Sequence, residues 1–362
     1  MRKSVFKIHS WLAMISFIPI LIISLTGSVL VFKSEIDHWQ MPEKTKVGVH
    51  NERIPLDVLH LTIRTAHPDY IIGTWEIFSD DKADTVYLIK SGTHDWYKVH
   101  INQYSGKILS RPVGLHSDLT DWLLNLHYTF LLHDAGLLVA SLFATAFVVL
   151  GITGIVLYRR FWVRLLQVRW RSATVVLFTD LHKFVGILSS PVILILGITG
   201  VYWNIAEFAH EYTEHPHESK ALSTAPYNLD LPFQSLVDQS THYLPGLRPT
   251  YLVFAYEPDM QIMVFGHMHT TNPLYSDYSS GVIFDKSSGN FISTWDIRTM
   301  PTLDKVVDSF RELHFGTFGG IWTQIIWCIV GLAPVVLTIT GIYLWMVRHK
   351  KIKPTRKTTC VS

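Results

Sequence analysis

The sequence predicts a membrane protein: a bundle of four transmembrane helices built from a duplicated unit, with two α+β insertions outside the bilayer. Three observations carry that expectation. Four apolar stretches, 11–32, 136–158, 184–205 and 321–347, are each long enough to cross about 30 Å of hydrocarbon, which takes roughly 20 residues. Each holds the same pair: Thr26-Gly27, Thr153-Gly154, Thr199-Gly200 and Thr340-Gly341. Between the first and second stretches, and again between the third and fourth, lies a long segment with strand-like alternation of apolar residues. Composition agrees, because 48% hydrophobic residues in a chain of 362 is high for a soluble protein and low for one that is all membrane.

Residues 1–33 form the first expected span. Arg2, Lys3 and Lys7 precede its core as they would in a signal peptide. The core is too long for one, however, and "SVLVFKSEIDHW" lacks a small-x-small cleavage site, so an uncleaved anchor is expected. Residues 34–118 read as a small α+β unit, with "LDVLHLTIRTAH" spaced as a helix and "TVYLIKSG" and "WYKVHINQYSGKILS" alternating as strands. A second span within 119–160 leads through a basic link, 161–178, to a third over 179–205. Residues 206–312 repeat the outer plan: a polar loop "EYTEHPHESKALSTAPYN", a helix "FQSLVDQSTHYL", then strands "TYLVFAY", "QIMVFGH" and "GVIFDKSSGNFIS". "NQYSGKIL" and "DKSSGNFI" are one device, a polar glycine-containing hairpin turn. The fourth span, 313–347, ends in a tail, 348–362.

The net charge of +2 carries no message and no nucleic-acid partner is expected; the placement of the charges matters more. Arg159, Arg160, Arg164, Arg169 and Arg171 crowd the link, and "RHKKIKPTRK" makes the tail basic. Positive charge stays inside, which puts the link and both termini in the cytoplasm and the two long segments outside. The two cysteines, Cys328 in an apolar run and Cys360 in the tail, offer no disulfide framework and no iron–sulfur spacing. Nineteen histidines against two cysteines direct any metal chemistry to imidazole.

Four of those histidines keep step with the Thr-Gly pairs. His9 precedes Thr26 by 17 residues and His182 precedes Thr199 by 17; His127 precedes Thr153 by 26 and His314 precedes Thr340 by 26. Each follows a large aliphatic residue, Ile8, Leu126, Leu181 or Leu313. A parallel repeat about an axis along the membrane normal sets equivalent histidines opposite one another. His9 then faces His182 near the cytoplasmic surface, and His127 faces His314 near the outer one. Two opposed imidazoles suit a six-coordinate haem iron in a bundle core, so two bis-histidine b-type haem sites are expected. Zinc is a poorer fit, since neither face shows a third repeated ligand.

Weaker candidates surround these four. His133, beside Asp134, is an alternative ligand or a donor behind one. His267 and His269 alternate along a strand, and His215 and His217 stand in the polar loop; surface roles suit both pairs better. Asp180 could orient the His182 ring or simply cap a helix. "HFGTFGG" (314–320), Gly186 and Ala13 keep side chains small around the sites. Trp322, Trp327, Phe143 and Phe147 could lie between the two irons, though packing explains each as well. An unbroken helix through 119–160 would put His127 about 39 Å from Thr153. The Thr-Gly pairs themselves read as packing devices: the glycine lets helices approach and the threonine bonds back into its own helix.

"HSWLAMISFIPILIISLTGSVLVFKSEID" resembles the opening helix of the PepSY-associated transmembrane family, with its His-x-Trp-x-(Gly/Ala) start and Thr-Gly-Ser near the end. The four Thr-Gly helices and the paired PepSY-like outer units extend the likeness over nearly the whole chain. Within the family the sequence is most similar to the inner-membrane siderophore-iron reductases of Gram-negative bacteria. That resemblance implies a di-haem oxidoreductase passing electrons to ferric iron in the periplasm and releasing it from a siderophore as ferrous iron. Its haem ligands would fall on His9, His182, His127 and His314.

No G-x-G-x-x-G follows a strand, so neither a flavin nor a nicotinamide fold is expected, and electrons must come from a partner reductase or a quinol. The rival class is a non-enzymatic siderophore or metal carrier, or a PepSY-type binding and regulatory module. Pro19, Pro191 and Pro334 do interrupt spans as a carrier's would, but no acidic residue stands near the bilayer midplane.

Overall fold

The structure, a computed structural model, describes residues 2–50, 52–77, 80–158, 167–214 and 221–350. Arg159, Arg160, Arg164, His215, His217, Cys360 and the tail beyond residue 350 lie outside the described residues. The chain folds as two compact units, one of residues 1–32, 123–216 and 313–362, the other of 33–122 and 217–312.

The first unit is helical. It holds α1 (Arg2–Leu30), most of α5 (Leu119–Thr129), α6 (His133–Leu157), α7 (Thr174–Glu214), the end of α9 (Thr302–Phe315), α10 (Ile321–Gly331) and α11 (Ala333–Arg348). Among the described residues, four helical stretches are long and apolar enough to cross a membrane: Arg2–Leu30, His133–Leu157, Thr174–His210 and Ile321–Arg348. α1 packs on α6 and α11, and α7 packs on the same two, so the spans close a ring. Glycine permits a close approach between α6 and α7: a Cβ on Gly197 would lie 2.7 Å from Val148 Cγ2.

Of the prolines expected to interrupt spans, Pro334 does so, whereas Pro19 and Pro191 lie inside continuous helices; the second span departs from the single helix expected. The helix expected over 119–160 breaks between α5 and α6, where Phe130, Leu131 and His133 take φ of 52°, 62° and 53°. Left-handed backbone costs a non-glycine residue roughly 1–2 kcal/mol, so this turn is held by what packs around it. A Cβ on Gly136 would run into the Thr129 carbonyl, which fixes glycine one turn into α6. The fourth span is broken at Leu332, because Pro334 has no N–H to continue the ladder and restricts the residue before it. α7 is the opposite case, 41 residues with Pro191 inside it.

The second unit is built on a sheet. Its strands are β1 (Tyr70–Glu76), β2 (Asp84–Lys90), β3 (Trp96–Ile101), β4 (Val113–Gly114), β5 (Leu247–Val253), β6 (Ile262–Met268), β7 (Ser280–Phe284) and β8 (Phe291–Trp295). The segments 34–118 and 206–312 do not make separate sheets: all eight strands join in the order β4-β3-β2-β1-β5-β6-β7-β8, antiparallel throughout. The junction is β1 against β5, with Thr74 opposite Val253, Trp75 opposite Leu252 and Glu76 opposite Tyr251. Pairing two edges removes both as sites of aggregation. The strand order reads alike from either end.

One face of this sheet carries the core. α4 (Leu56–Ala66) supplies Leu59 and Ile63, α8 (Phe233–Tyr243) supplies Phe233 and Leu236, and the strands answer with Trp75, Val86, Leu88, Leu252, Val264 and Phe284. Burial of each such side chain contributes roughly 1.5–3 kcal/mol. The two hairpin turns expected from "NQYSGKIL" and "DKSSGNFI" are alike in detail. Asn102 Oδ1 accepts from the backbone of Tyr104 and Ser105, and Asp285 Oδ1 from that of Ser287 and Ser288. Gly106 and Gly289 then take φ of 69° and 73°, where a side chain would be strained.

Polar groups tie the sheet to its neighbouring helices. Lys98 on β3 binds both Asp118, at 2.8 Å, and Asp121; Lys33 on α2 (Lys33–Gln40) binds Asp37 at 2.7 Å and Asp121 at 2.8 Å. Glu76, on β1, is mostly buried. Burial pushes its carboxyl up to about 7, and the Tyr87 hydroxyl, donating at 3.3 Å, opposes this only in part. A carboxyl raised in the fold is favourable while protonated, so its contribution is whole below the ordinary value of 4.5 and is lost as pH rises through about 7. Glu76→Gln is therefore expected to flatten the fall in thermal stability between pH 5 and about 8, by roughly 3 kcal/mol at the alkaline end. Melting of the two proteins across that range checks it, and parallel curves would contradict it.

Candidate functional site

The helical unit brings histidines together in two pairs. His9 on α1 and His182 on α7 have ring centroids 6.4 Å apart and planes at 84°. His127 on α5 and His314 on α9 are 6.3 Å apart with planes at 73°. The pairs are separated along α1, since His9 stands on it directly and His127 is bonded to Thr26, about 26 Å of helix further on.

Every one of the four rings is held by a Thr-Gly pair, and by the pair of a neighbouring helix. His9 Nδ1 lies 2.8 Å from Thr153 Oγ1, His127 Nδ1 3.0 Å from Thr26 Oγ1, His182 Nδ1 2.9 Å from Thr340 Oγ1 and His314 Nδ1 2.6 Å from Thr199 Oγ1. The same hydroxyls donate into their own helices, to the carbonyls of Ile22, Val149, Ile195 and Val336, at 2.6–2.7 Å. With its proton committed there, each threonine offers the ring only a lone pair. The imidazole must then donate from Nδ1, which leaves Nε2 with the lone pair that binds metals. His127 fixes this tautomer twice, because the Ile23 carbonyl also accepts from Nδ1 at 3.0 Å.

The glycines have a matching duty. A Cβ would lie 2.8 Å from His127 Cε1 at Gly27, 3.3 Å from His182 Cε1 at Gly341, 3.7 Å from His314 Cε1 at Gly200 and 3.8 Å from His9 Cε1 at Gly154. The Thr-Gly pairs are thus more than packing devices: they seat and orient the histidines.

The remaining candidates stand elsewhere. Asp180 does not orient His182; it takes a two-pronged bond from Arg169, at 2.8 and 2.9 Å. His133 is exposed at the start of α6, and no contact joins it to either pair. His267 Nδ1 is 3.7 Å from an Asp277 oxygen, and His269 is exposed. Among the described residues no three His, Cys, Asp or Glu side chains gather as a metal site. In "HFGTFGG" the glycines serve a turn: Gly316 and Gly320 take φ of 71° and 64° around a single 3-10 turn, Thr317–Gly319. Gly186 faces Leu337 rather than a histidine. Trp322 is exposed, whereas Trp327 donates to the Leu313 carbonyl at 2.7 Å and so steadies the end of α9 beside His314. One neighbour of the site has no sequence signal: Trp203 on α7, whose ring lies 5.1 Å from that of His314, stands where the first half has Leu30.

Beside His127 and His314 lies a cavity of about 530 Å³, whose walls include Gly27, Gly200, Trp203, Phe143 and Phe147. That is within the size range of ligand sites, roughly 300–1,000 Å³.

Four long apolar helices, a ring of spans and an eight-stranded sheet define a multi-pass membrane protein carrying a large folded insertion. Residues 6–348 match the family model described as the PepSY-associated TM region, and the chain belongs to that PepSY_TM family. Comparison with curated proteins gives no match.

Proposed function

We propose that this chain is a di-haem electron-transfer protein of the bacterial inner membrane that reduces ferric iron, bound to a siderophore, on the periplasmic side. The observation that supports it best is the spacing within each histidine pair. With metal–nitrogen bonds of about 2 Å on either side and roughly 1 Å more to each ring centre, an iron between two imidazoles sets the centres about 6 Å apart. The pairs measure 6.4 and 6.3 Å. Two nitrogens alone hold a metal poorly, and a porphyrin supplies the other four. The cavity beside His127 and His314 is apolar along most of its walls, as the flat ring requires.

In this reading His9 and His182 hold one haem and His127 and His314 the other. When bound between two imidazoles, such a group would supply one-electron exchange and would favour outer-sphere transfer over binding of oxygen. The four threonines fix the tautomer and raise the electron density of each ring through the Nδ1 bond. The matched repeat of His, Thr and Gly in both halves, together with the strand order, supports descent of the chain from a duplicated unit. Arginine excess in the link supports cytoplasmic termini, a periplasmic sheet unit, and electrons arriving from a cytoplasmic reductase or from quinol.

The visible spectrum of the purified chain tests the proposal. A sharp α band on reduction with dithionite and about two haems per chain are expected. A colourless protein from haem-replete cells would leave a carrier or a binding and regulatory module instead. A finer expectation concerns Thr153, the partner that His9 Nδ1 has among the described residues. Thr153→Val keeps the shape and removes the acceptor, and such losses cost roughly 10–100-fold in metal affinity. One haem should therefore wash out on dilution while the other stays; equal retention of both would speak against the role given to the threonine.

A further inference from the structure

The cavity beside His127 and His314 is unequal along its length. Its lining includes Phe147 and the buried Ile193 and Pro334, and, further along α7, Asn204 with Glu207 and His210, both of them exposed and so placed where water reaches. Its wall on α7 runs from Ile193 to His210, about 25 Å of helix. Gly200, against the His314 ring, falls near the middle of that run. Ser28 lines the same cavity, is 4% exposed, and has a hydroxyl without a hydrogen-bond partner among the described residues. A buried hydroxyl left unpaired is unfavourable, and a ligand in the cavity would relieve it.

We propose that this cavity admits its macrocycle in one orientation only, with the carboxylate edge at the Asn204, Glu207 and His210 mouth, the apolar edge against Phe147 and Pro334, and Ser28 as a positioning residue at its flank. The inference rests on the haem reading of the His127–His314 pair. Its physical basis is desolvation. In the reverse orientation two carboxylates would lie among apolar side chains, each losing its hydration with no Lys or Arg among the described lining residues to compensate. At the mouth, water reaches them. Glu207 then stands on the same side as those carboxylates, and its negative charge stabilises the oxidised, more positive iron. Its loss must favour reduction.

The test uses the full chain in detergent, with Glu207→Gln, His210→Leu, Ser28→Ala and His127→Ala. His127→Ala identifies which haem belongs to this cavity. Glu207→Gln is expected to raise the midpoint potential of that haem and leave the other unchanged. His210→Leu should move its carboxylate-bending band in the resonance Raman spectrum, and Ser28→Ala should speed its loss on dilution. Glu207 and His210 are exposed, so these two variants leave the packing of the bundle intact. Unmoved potential and band in both mouth variants, or shifts confined to the other haem, would overturn the orientation and leave the two-haem reading standing. An unaltered rate of loss in Ser28→Ala would remove Ser28 from it. If His127→Ala retains both haems, the haem reading fails and the orientation with it.

Discussion

His127→Ala is expected to lower the haem content of the purified chain from about two per polypeptide to about one. The ring lies 6.3 Å from that of His314, and its Nδ1 is held by both Thr26 and the Ile23 carbonyl, so Nε2 is the atom left to bind. Alanine removes that nitrogen, and neither Thr26 nor Ile23 offers a substitute. His314→Ala should remove the same haem. His9→Ala and His182→Ala should each remove the second, since those two rings face one another at 6.4 Å. His133→Ala serves as the control and should change neither, because its side chain is exposed. Pyridine haemochrome assays of single and double variants decide the matter. His127→Ala plus His314→Ala should lose no more than either alone, whereas His127→Ala plus His9→Ala should lose both haems. Additive loss in the first double variant would break the pairing.

Lys98→Ala should strongly destabilise the sheet unit. The side chain is 8% exposed and its ammonium neutralises Asp118 and Asp121 together, while Asp121 leans on Lys33 as well. Removing one member of a buried ion pair leaves charge without a partner, a loss of about 3–5 kcal/mol. Thermal unfolding followed by circular dichroism would register it. Lys98→Met separates charge from volume: a similar loss assigns the effect to charge, and recovery to near the parent's stability would assign it to packing. Arg169→Ala, by contrast, breaks only an exposed bond to Asp180 and should leave the melting temperature close to the parent's.

What the sequence reveals divides along physical lines. The spans are legible because hydrocarbon demands an unbroken apolar run, and the proximity of His9 to His182 and of His127 to His314 follows from counting residues back from Thr-Gly. The hairpins at Asn102 and Asp285 are legible because their turns need a short polar side chain and then a glycine. The break between α5 and α6 is not, since Phe130 and Leu131 are poor markers of left-handed backbone. After that break His127 rests against Thr26 and Gly27 of another helix, while Thr153 holds His9. The duty of the Thr-Gly pairs was hidden for a related reason. Each threonine serves a histidine on a different helix, and no local spacing records that partnership. The β1–β5 junction was likewise invisible, because alternation along a strand does not say which edge it will meet.

That junction has a consequence for the order in which the protein is made. β1 lies within residues 70–76 and its partner β5 within 247–253, and two of the spanning helices are synthesised between them. The first half of the sheet must therefore emerge with an open inner edge and wait until the third span has been inserted. The sheet closes late, and a ribosome stalled after residue 216 would leave a nascent chain whose exposed edge invites the wrong neighbour.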